Sequence, residues 1–387
     1  MFDLFTNPDL FSVINEYTDL RSLCDTCTLL LTFKQYISYK LNSKYSLMYY
    51  DDNLFRQRVL NKIFNPYKQL YLDLRNCENI TDVSSLGNVH TLDLFWCYQI
   101  TDVSALGNVY DLDLTYCCDI TDVSALGNVH TLDLSYCDKI NDVSKLGNVR
   151  KLYLDDCNLI TDVSALGNLH TLYIYGCNKI TDVSALGNVH TLILSYCSQI
   201  TDVSALGNVH HLDLSRCSQI TDVRALGKVH TLILSYCSQI TDVSALGNVH
   251  TLILCCCNIT DVSMLGNVYE LDLSLCKNIT DVSTLGNVHT LNLSCCDKIT
   301  DVSMLGNVYE LYLRGCNLIT DVSALGNVHI LDLCECHQIT DVSMLGNVHT
   351  LDLTCCCDIT DVSALGNVYT LILPYHLNNN KNDAYRL

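Results

Sequence analysis

The sequence predicts an α/β solenoid, a right-handed superhelix of short parallel strands joined by irregular or 3-10 convex turns, preceded by a small all-helical module. Three observations carry this. From residue 69 onward a unit of twenty residues recurs fifteen times. Inside each unit a period-two phrase precedes Cys and Ile, as in Leu132-Asp133-Leu134-Ser135-Tyr136-Cys137-Asp138-Lys139-Ile140. The first 68 residues lack the unit and space their apolar residues at three and four, as helices do. The organisation expected is therefore a helical module at 1–68, repeats at 69–377 and a polar tail at 378–387.

Within the helical module, Pro8 behind Asn7 is a first-turn proline following a capping residue, and Leu10, Phe11, Val13, Ile14 and Tyr17 share one apolar face. A second run carries Leu20, Leu23, Cys24 and Cys27. A third carries Phe33, Tyr36, Ile37 and Leu41, and a fourth spans about Leu54 to Phe64. The module caps the solenoid, docks another protein, or does both.

Each repeat reads as one coil. Leu132 and Leu134 point inward from a short strand while Asp133 points out. Cys137 lies where the chain turns inward, and its equivalents from Cys77 to Cys356 are expected to form a buried column. In Thr121-Asp122-Val123-Ser124 a Thr or Asp oxygen caps a one-turn helix, whose Val and Leu fill the coil from the convex side. Gly147-Asn148 closes the coil, glycine being suited to positive φ. One unit is a residue short between Cys257 and Ile259. After Leu371-Ile372-Leu373, Pro374 stops strand pairing and leaves the last coil open.

Charge sorts by region. The formal charge of −20 belongs to the repeats, because residues 1–68 hold eight Lys/Arg against seven Asp/Glu. Fifteen of the acidic residues are the Asp of one recurring phrase, from Asp82 to Asp361. Phosphate contacts need clustered Lys/Arg and the repeats have none, which argues against nucleic acid. Polar residues interrupt every apolar run well short of a membrane span. The opening Met1-Phe2-Asp3-Leu4 lacks a basic region and an apolar core, so the chain is expected to be intracellular, cytoplasmic or nuclear rather than secreted, with reduced cysteines.

The phrase Leu-x-Leu-x-x-Cys-x-x-Ile resembles the leucine-rich-repeat pattern, with Cys where Asn often stands, and the resemblance covers about 300 residues. It implies a protein-binding solenoid. The segment from Asn7 to Cys27 resembles an F-box, the helical module that binds the Skp-type adaptor of SCF ubiquitin ligases and is often followed by leucine-rich repeats that hold a substrate. That resemblance implies adaptor docking through residues 4–48, with Pro8, Leu10, Phe11, Ile14, Leu20 and Leu23 on the docking side. The near-identical Cys-rich coils are also similar to repeat families encoded by large DNA viruses of amoebae, which implies a host's ligase and a host-cell location.

Comparing the coils with one another separates fixed positions from variable ones. The variable positions flank the strand leucines on the outward, concave face. Free drift there would insert small polar residues, whereas this chain places Phe95, Trp96, Tyr116, Tyr136, Tyr153, Tyr173, Tyr175, Ile193, Tyr196, Ile233, Tyr236 and Ile253 on that face. Large exposed apolar and aromatic groups mark interaction surfaces, and the patch is expected at 153–253. Asp73, Asp93, Asp113 and Asp133 form an acidic rim that steers a basic partner. No catalytic residue and no cofactor is assigned: histidine recurs ten times at one repeat position, and catalysis needs a singular constellation rather than a repeated one. The extra cysteines at 255–257, 334–337 and 355–357 occupy different strand positions and do not converge as zinc ligands must.

Overall fold

The computed structural model describes residues 39–63 and 70–377, in two compact units that meet in sequence between Tyr153 and Leu154. Adaptor-docking residues Pro8 to Leu23 and the tail from 378 lie outside the described residues.

The first unit begins with β1 (Tyr39–Leu41), α1 (Ser43–Asp51) and α2 (Asn53–Lys62). Five repeat strands follow: β2 (Leu70–Asp73), β3 (Thr91–Asp93), β4 (Asp111–Asp113), β5 (Thr131–Asp133) and β6 (Lys151–Tyr153). All pair in parallel, so Leu72, Leu92, Leu112, Leu132 and Leu152 stand in one row. The second unit repeats the arrangement in eleven described strands, β7 (Thr171–Tyr173) to β17 (Thr370–Ile372).

One coil explains the rest. Leu132 and Leu134 are wholly buried, as the alternation requires, and Asp133 turns its Oδ1 back to accept the backbone N–H of Ser135 at 2.9 Å. The next residue, Tyr136, has φ +61°. That left-handed residue swings the chain inward so that Cys137 enters the core, where its thiol donates to the Leu114 carbonyl of the preceding coil at 3.2 Å. That carbonyl also accepts the Cys117 N–H at 2.9 Å, so the thiol supplies a second bond to a buried acceptor, which gives the cysteine a reason beyond size. Desolvation pushes these thiols up, to about 12 at Cys197, Cys237 and Cys276. Cys77, at the start of the column, is only half-buried.

The turn is capped by aspartate, not threonine: Asp122 Oδ1 accepts the Ser124 N–H at 2.8 Å, and the same bond recurs from Asp82 to Asp361. These bonds hold the carboxylates below their usual range. A single 3-10 turn follows, Ser124–Leu126 in this coil.

The repeat glycine departs from expectation. Gly107 has φ −62° and Gly127 the same, ordinary right-handed backbone. What demands glycine is the next coil, because a Cβ on Gly127 would lie 2.3 Å from the Lys145 carbonyl oxygen. The short unit lacks a turn bond that most other coils make, in which the Ile N–H closes onto the Cys carbonyl, as Ile240 does onto Cys237 at 3.1 Å. There Asn258 Nδ2 instead donates to the Ser238 carbonyl of the preceding coil. Register is unaffected, with Leu252 opposite Leu271.

The two ends of the repeat array differ. Leu41, expected on a third helix, lies in β1, which pairs in parallel with β2 and covers its edge. Ser46 of α1 is fully buried; its hydroxyl accepts the Asp73 N–H at 2.9 Å and donates to the Leu41 carbonyl. The expected fourth helix is α2. At the other end Ile372 is exposed and Leu371 and Leu373 are only half-buried, although their equivalents in earlier coils are buried.

Candidate protein-binding face

Two outward features run along the strands. The first is the row between the strand leucines, occupied by Asp73, Asp93, Asp113, Asp133 and Tyr153 in the first unit and by Tyr173, Ile193, Asp213, Ile233 and Ile253 at the start of the second. Apart from the buried Asp73 these residues are half-buried, each lying against its neighbours on adjacent strands of its own unit. Asp213 interrupts the apolar run between Ile193 and Ile233.

The aspartates of this row have a structural task as well as a charge. Asp93, Asp113 and Asp133 each accept the backbone N–H two residues on. Burial nevertheless lifts Asp93 and Asp133 above the usual carboxylate range, with the neighbouring Asp113 adding to both. Asp73 is pulled the other way by hydrogen bonds from the Arg75 guanidinium.

The second feature is the left-handed column, the residue just before each column cysteine. Thirteen described non-glycine residues have positive φ, all at this position. Trp96, Tyr116 and Tyr136 hold it in the first unit, and Tyr196, Arg216, Tyr236, Cys256 and Leu275 hold it in succession in the second. Its side chains are the most exposed of the face: Trp96 is 52% exposed, Tyr196 40% and Tyr236 42%. They stack on one another. Trp96 and Tyr116 have ring centroids 5.7 Å apart, Tyr116 and Tyr136 4.3 Å, with Phe95 edge-on to both Trp96 and Tyr116. In the second unit Tyr175 lies 4.7 Å from Tyr196, and the Arg216 guanidinium sits between Tyr196 and Tyr236 at 5.0 and 4.0 Å.

A left-handed backbone costs a non-glycine L-residue about 1 kcal/mol or more. Gly176 and Gly315 hold the position in two coils, so the fold accepts glycine there. Large aromatics are nonetheless kept at Trp96, Tyr116, Tyr136, Tyr196 and Tyr236, five of the fifteen rungs. The sequence reading placed the aromatics on the face but assigned no role to Arg216 or Leu275. No turn signal marks the column, because Trp, Tyr, Arg, Leu and Cys are not residues that announce positive φ.

Other groups offer less. Asp332, Cys334 and Asp352 bring ligand atoms within 4.8 Å of one another, but the Arg314 guanidinium lies 3.5 Å from Asp332 and burial raises the Cys334 thiol to about 11. The recurring histidines form a ladder of stacked rings with Tyr110, Tyr269, Tyr309 and Tyr369, and in most coils Nδ1 pairs with the Oγ1 of the following threonine.

Residues 147–188 match the model of leucine-rich repeats in two copies, and residues 287–305 match a single leucine-rich repeat. The coils at these residues match leucine-rich repeats, and the same phrase runs through the rest of the array. Among solved structures, an internalin (InlF) from Listeria monocytogenes is similar at 25% identity over 73% of this chain and 86% of its own, with a TM-score of 0.52. The functional domain of InlJ from Listeria monocytogenes, described as including a cysteine ladder, follows at 21% identity, 73% of each chain and a TM-score of 0.47. A leucine-rich-repeat protein of Leptospira interrogans matches at 17% identity, 64% of this chain, 90% of its own and a TM-score of 0.38. No curated protein matches the sequence.

Proposed function

We propose that this chain is a protein-binding scaffold rather than an enzyme, with its receptor face made by the outward strand row and the left-handed column. The observation that carries the reading is the retention of exposed, stacked aromatics at backbone positions where glycine fits and costs less. Because glycine is native to the column, Tyr196→Gly with Tyr236→Gly removes the rings while relieving backbone strain. The double variant should fold at least as stably and lose the proteins that the full chain captures from lysate. Equal capture by a folded double variant removes these rings from the binding face.

The F-box resemblance of residues 7–27 supports a finer reading: an intracellular substrate-recognition adaptor of an SCF-type ubiquitin ligase, with a Skp-type adaptor bound through residues 4–48. A cap with no ubiquitin link is the competing reading, favoured by the Ser46 bonds that tie α1 into the first coil. The two separate in a pull-down comparing the full chain with one lacking residues 1–38, which leaves β1 and α1 in place. Loss of a Skp-type adaptor and cullin on truncation supports the ligase reading. Their absence from both captures supports the cap.

A further inference from the structure

The first unit carries a surface whose chemistry defines a ligand more narrowly than protein binding in general, and the inference rests on that reading. Between residues 69 and 136 stand ten Asp/Glu and a single Lys/Arg, Arg75. Parallel register sets Asp73, Asp93, Asp113 and Asp133 side by side. At one end of this row Arg75 shows how a guanidinium is held. Its Nε and terminal nitrogen each lie 2.9 Å from an oxygen of Asp73, and Nε also reaches Asp93 at 3.3 Å. At the other end, among the described residues, no Lys or Arg forms an ion pair with Asp113 or Asp133, whose Oδ1 atoms accept the N–H of Thr115 and Ser135.

Beside that uncompensated half of the row runs the stack of Trp96, Tyr116 and Tyr136. The second unit shows what this column accepts, since Arg216 fits its guanidinium between two of its tyrosines. The molecule therefore seats an arginine once on the aspartate row and once in the aromatic column, using its own side chains. Where both features are adjacent and the row lacks a cation, the fitting ligand is a guanidinium supplied by another chain. An extended peptide places alternate side chains on one face about 7 Å apart, so two alternate arginines can face the row and the column from one side of the segment.

We propose that the coils between residues 70 and 136 bind an extended segment of a partner protein bearing two arginines one residue apart. One guanidinium lies on Asp113 and Asp133, and the other lies against the rings of Trp96 and Tyr116. Lysine supplies the charge but not the planar group that stacks and bridges. Phosphate-bearing surfaces are repelled by the row.

Trp96 is the only tryptophan, so its emission reports the site directly in the full chain. The probes are short synthetic peptides alternating Arg and Ser, and the same peptides with Lys or Glu in place of Arg. The arginine peptide should change Trp96 emission, bind about tenfold tighter than the lysine peptide and weaken with salt. Asp113→Asn with Asp133→Asn should weaken it about tenfold or more. Asparagine preserves the local turn, since Asn292 at the same position accepts the Ser294 N–H at 3.0 Å. Equal binding of the lysine or glutamate peptide, or unchanged binding by the folded double variant, overturns the inference. Protein capture through Tyr196 and Tyr236 with no response of Trp96 to the arginine peptide also overturns it, and leaves the receptor reading standing.

Discussion

Leu275 and Cys276 are neighbours in the chain and opposites in the fold. Cys276 is buried, its thiol bonded to the Leu254 carbonyl at 3.1 Å, and the same residue type holds the position in every other coil. Leu275 has φ +60° and faces outward, and its equivalents include Trp96, Tyr116, Arg216, Glu335 and Gly315. A solenoid interior must match the coil above and the coil below, so a change in a buried column disturbs two interfaces at once. The outward column meets its neighbours only through side chains that solvent or a partner can replace. Uniformity inside and variety outside follow from that difference, and the strained rungs mark where variety has gone beyond what the backbone prefers.

The largest expected effect tests the interior. In Gly207→Ala the new methyl would stand 2.3 Å from the Ala225 carbonyl oxygen of the next coil, a backbone atom that cannot turn aside. Stability should fall by about 3 kcal/mol, measured by urea unfolding. Gly366→Ala is the matched control, because nothing lies within 4 Å of its added Cβ. It should leave stability within about 0.5 kcal/mol. A comparable loss at both sites would mean that glycine is needed for backbone conformation after all.

Next in size is the pair that opened the comparison. Cys276→Ala removes a buried thiol donor and opens a small cavity, while the Leu254 carbonyl keeps the Cys257 N–H at 3.2 Å, which together should cost about 1–2 kcal/mol. Leu275→Gly relieves a left-handed leucine and should gain about 0.5–1 kcal/mol. Opposite signs at adjacent residues would confirm the division into core and face. A loss at Leu275 as large as that at Cys276 would place the column in the core. Reactivity sharpens the same division: a maleimide should modify exposed Cys357 in the native protein and spare Cys197 and Cys237, whose thiols burial holds near 12.

These contrasts also show what was readable in the sequence. The inward leucines, the cysteine column and a side-chain-capped turn follow from spacing and residue type, because each depends on groups within one coil or on exact repetition, whereas the choice of aspartate over threonine as the cap came from the structure. The reason for the repeat glycine was not readable, since its neighbour is a carbonyl from the following coil and only packing brings them together. The strand at Tyr39–Leu41 escaped for the same reason: its partner, Leu70–Leu72, is some thirty residues away. On the face, tyrosine and tryptophan were visible as candidate anchors. Their left-handed backbone was not, and with it went the evidence that glycine would serve the fold as well.

The smallest expected effect concerns the histidine ladder, outward like the face yet as regular as the core. His170, His190, His210, His230 and His250 stack with ring centroids 4.6–4.7 Å apart. A proton on one ring opposes a proton on the next. His210 is held below its ordinary 6.5, first by burial and then by His190, His230 and His211. The unfolded chain therefore takes up that proton at higher pH than the folded one, so the contribution is present above 6.5 and is lost as pH falls through the depressed value. Solvent screening at this exposed site limits the loss to less than about 0.5 kcal/mol. His210→Tyr removes the titrating rung but keeps a ring in the stack, as Tyr269 does between His250 and His289. Unfolding of this variant at pH 7 and pH 5 should show a smaller drop in stability than the parent. An equal drop would show that His210 does not carry the acid sensitivity, and the capping aspartates, lowered from their ordinary 3.8, give up their contribution only at pH well below 5.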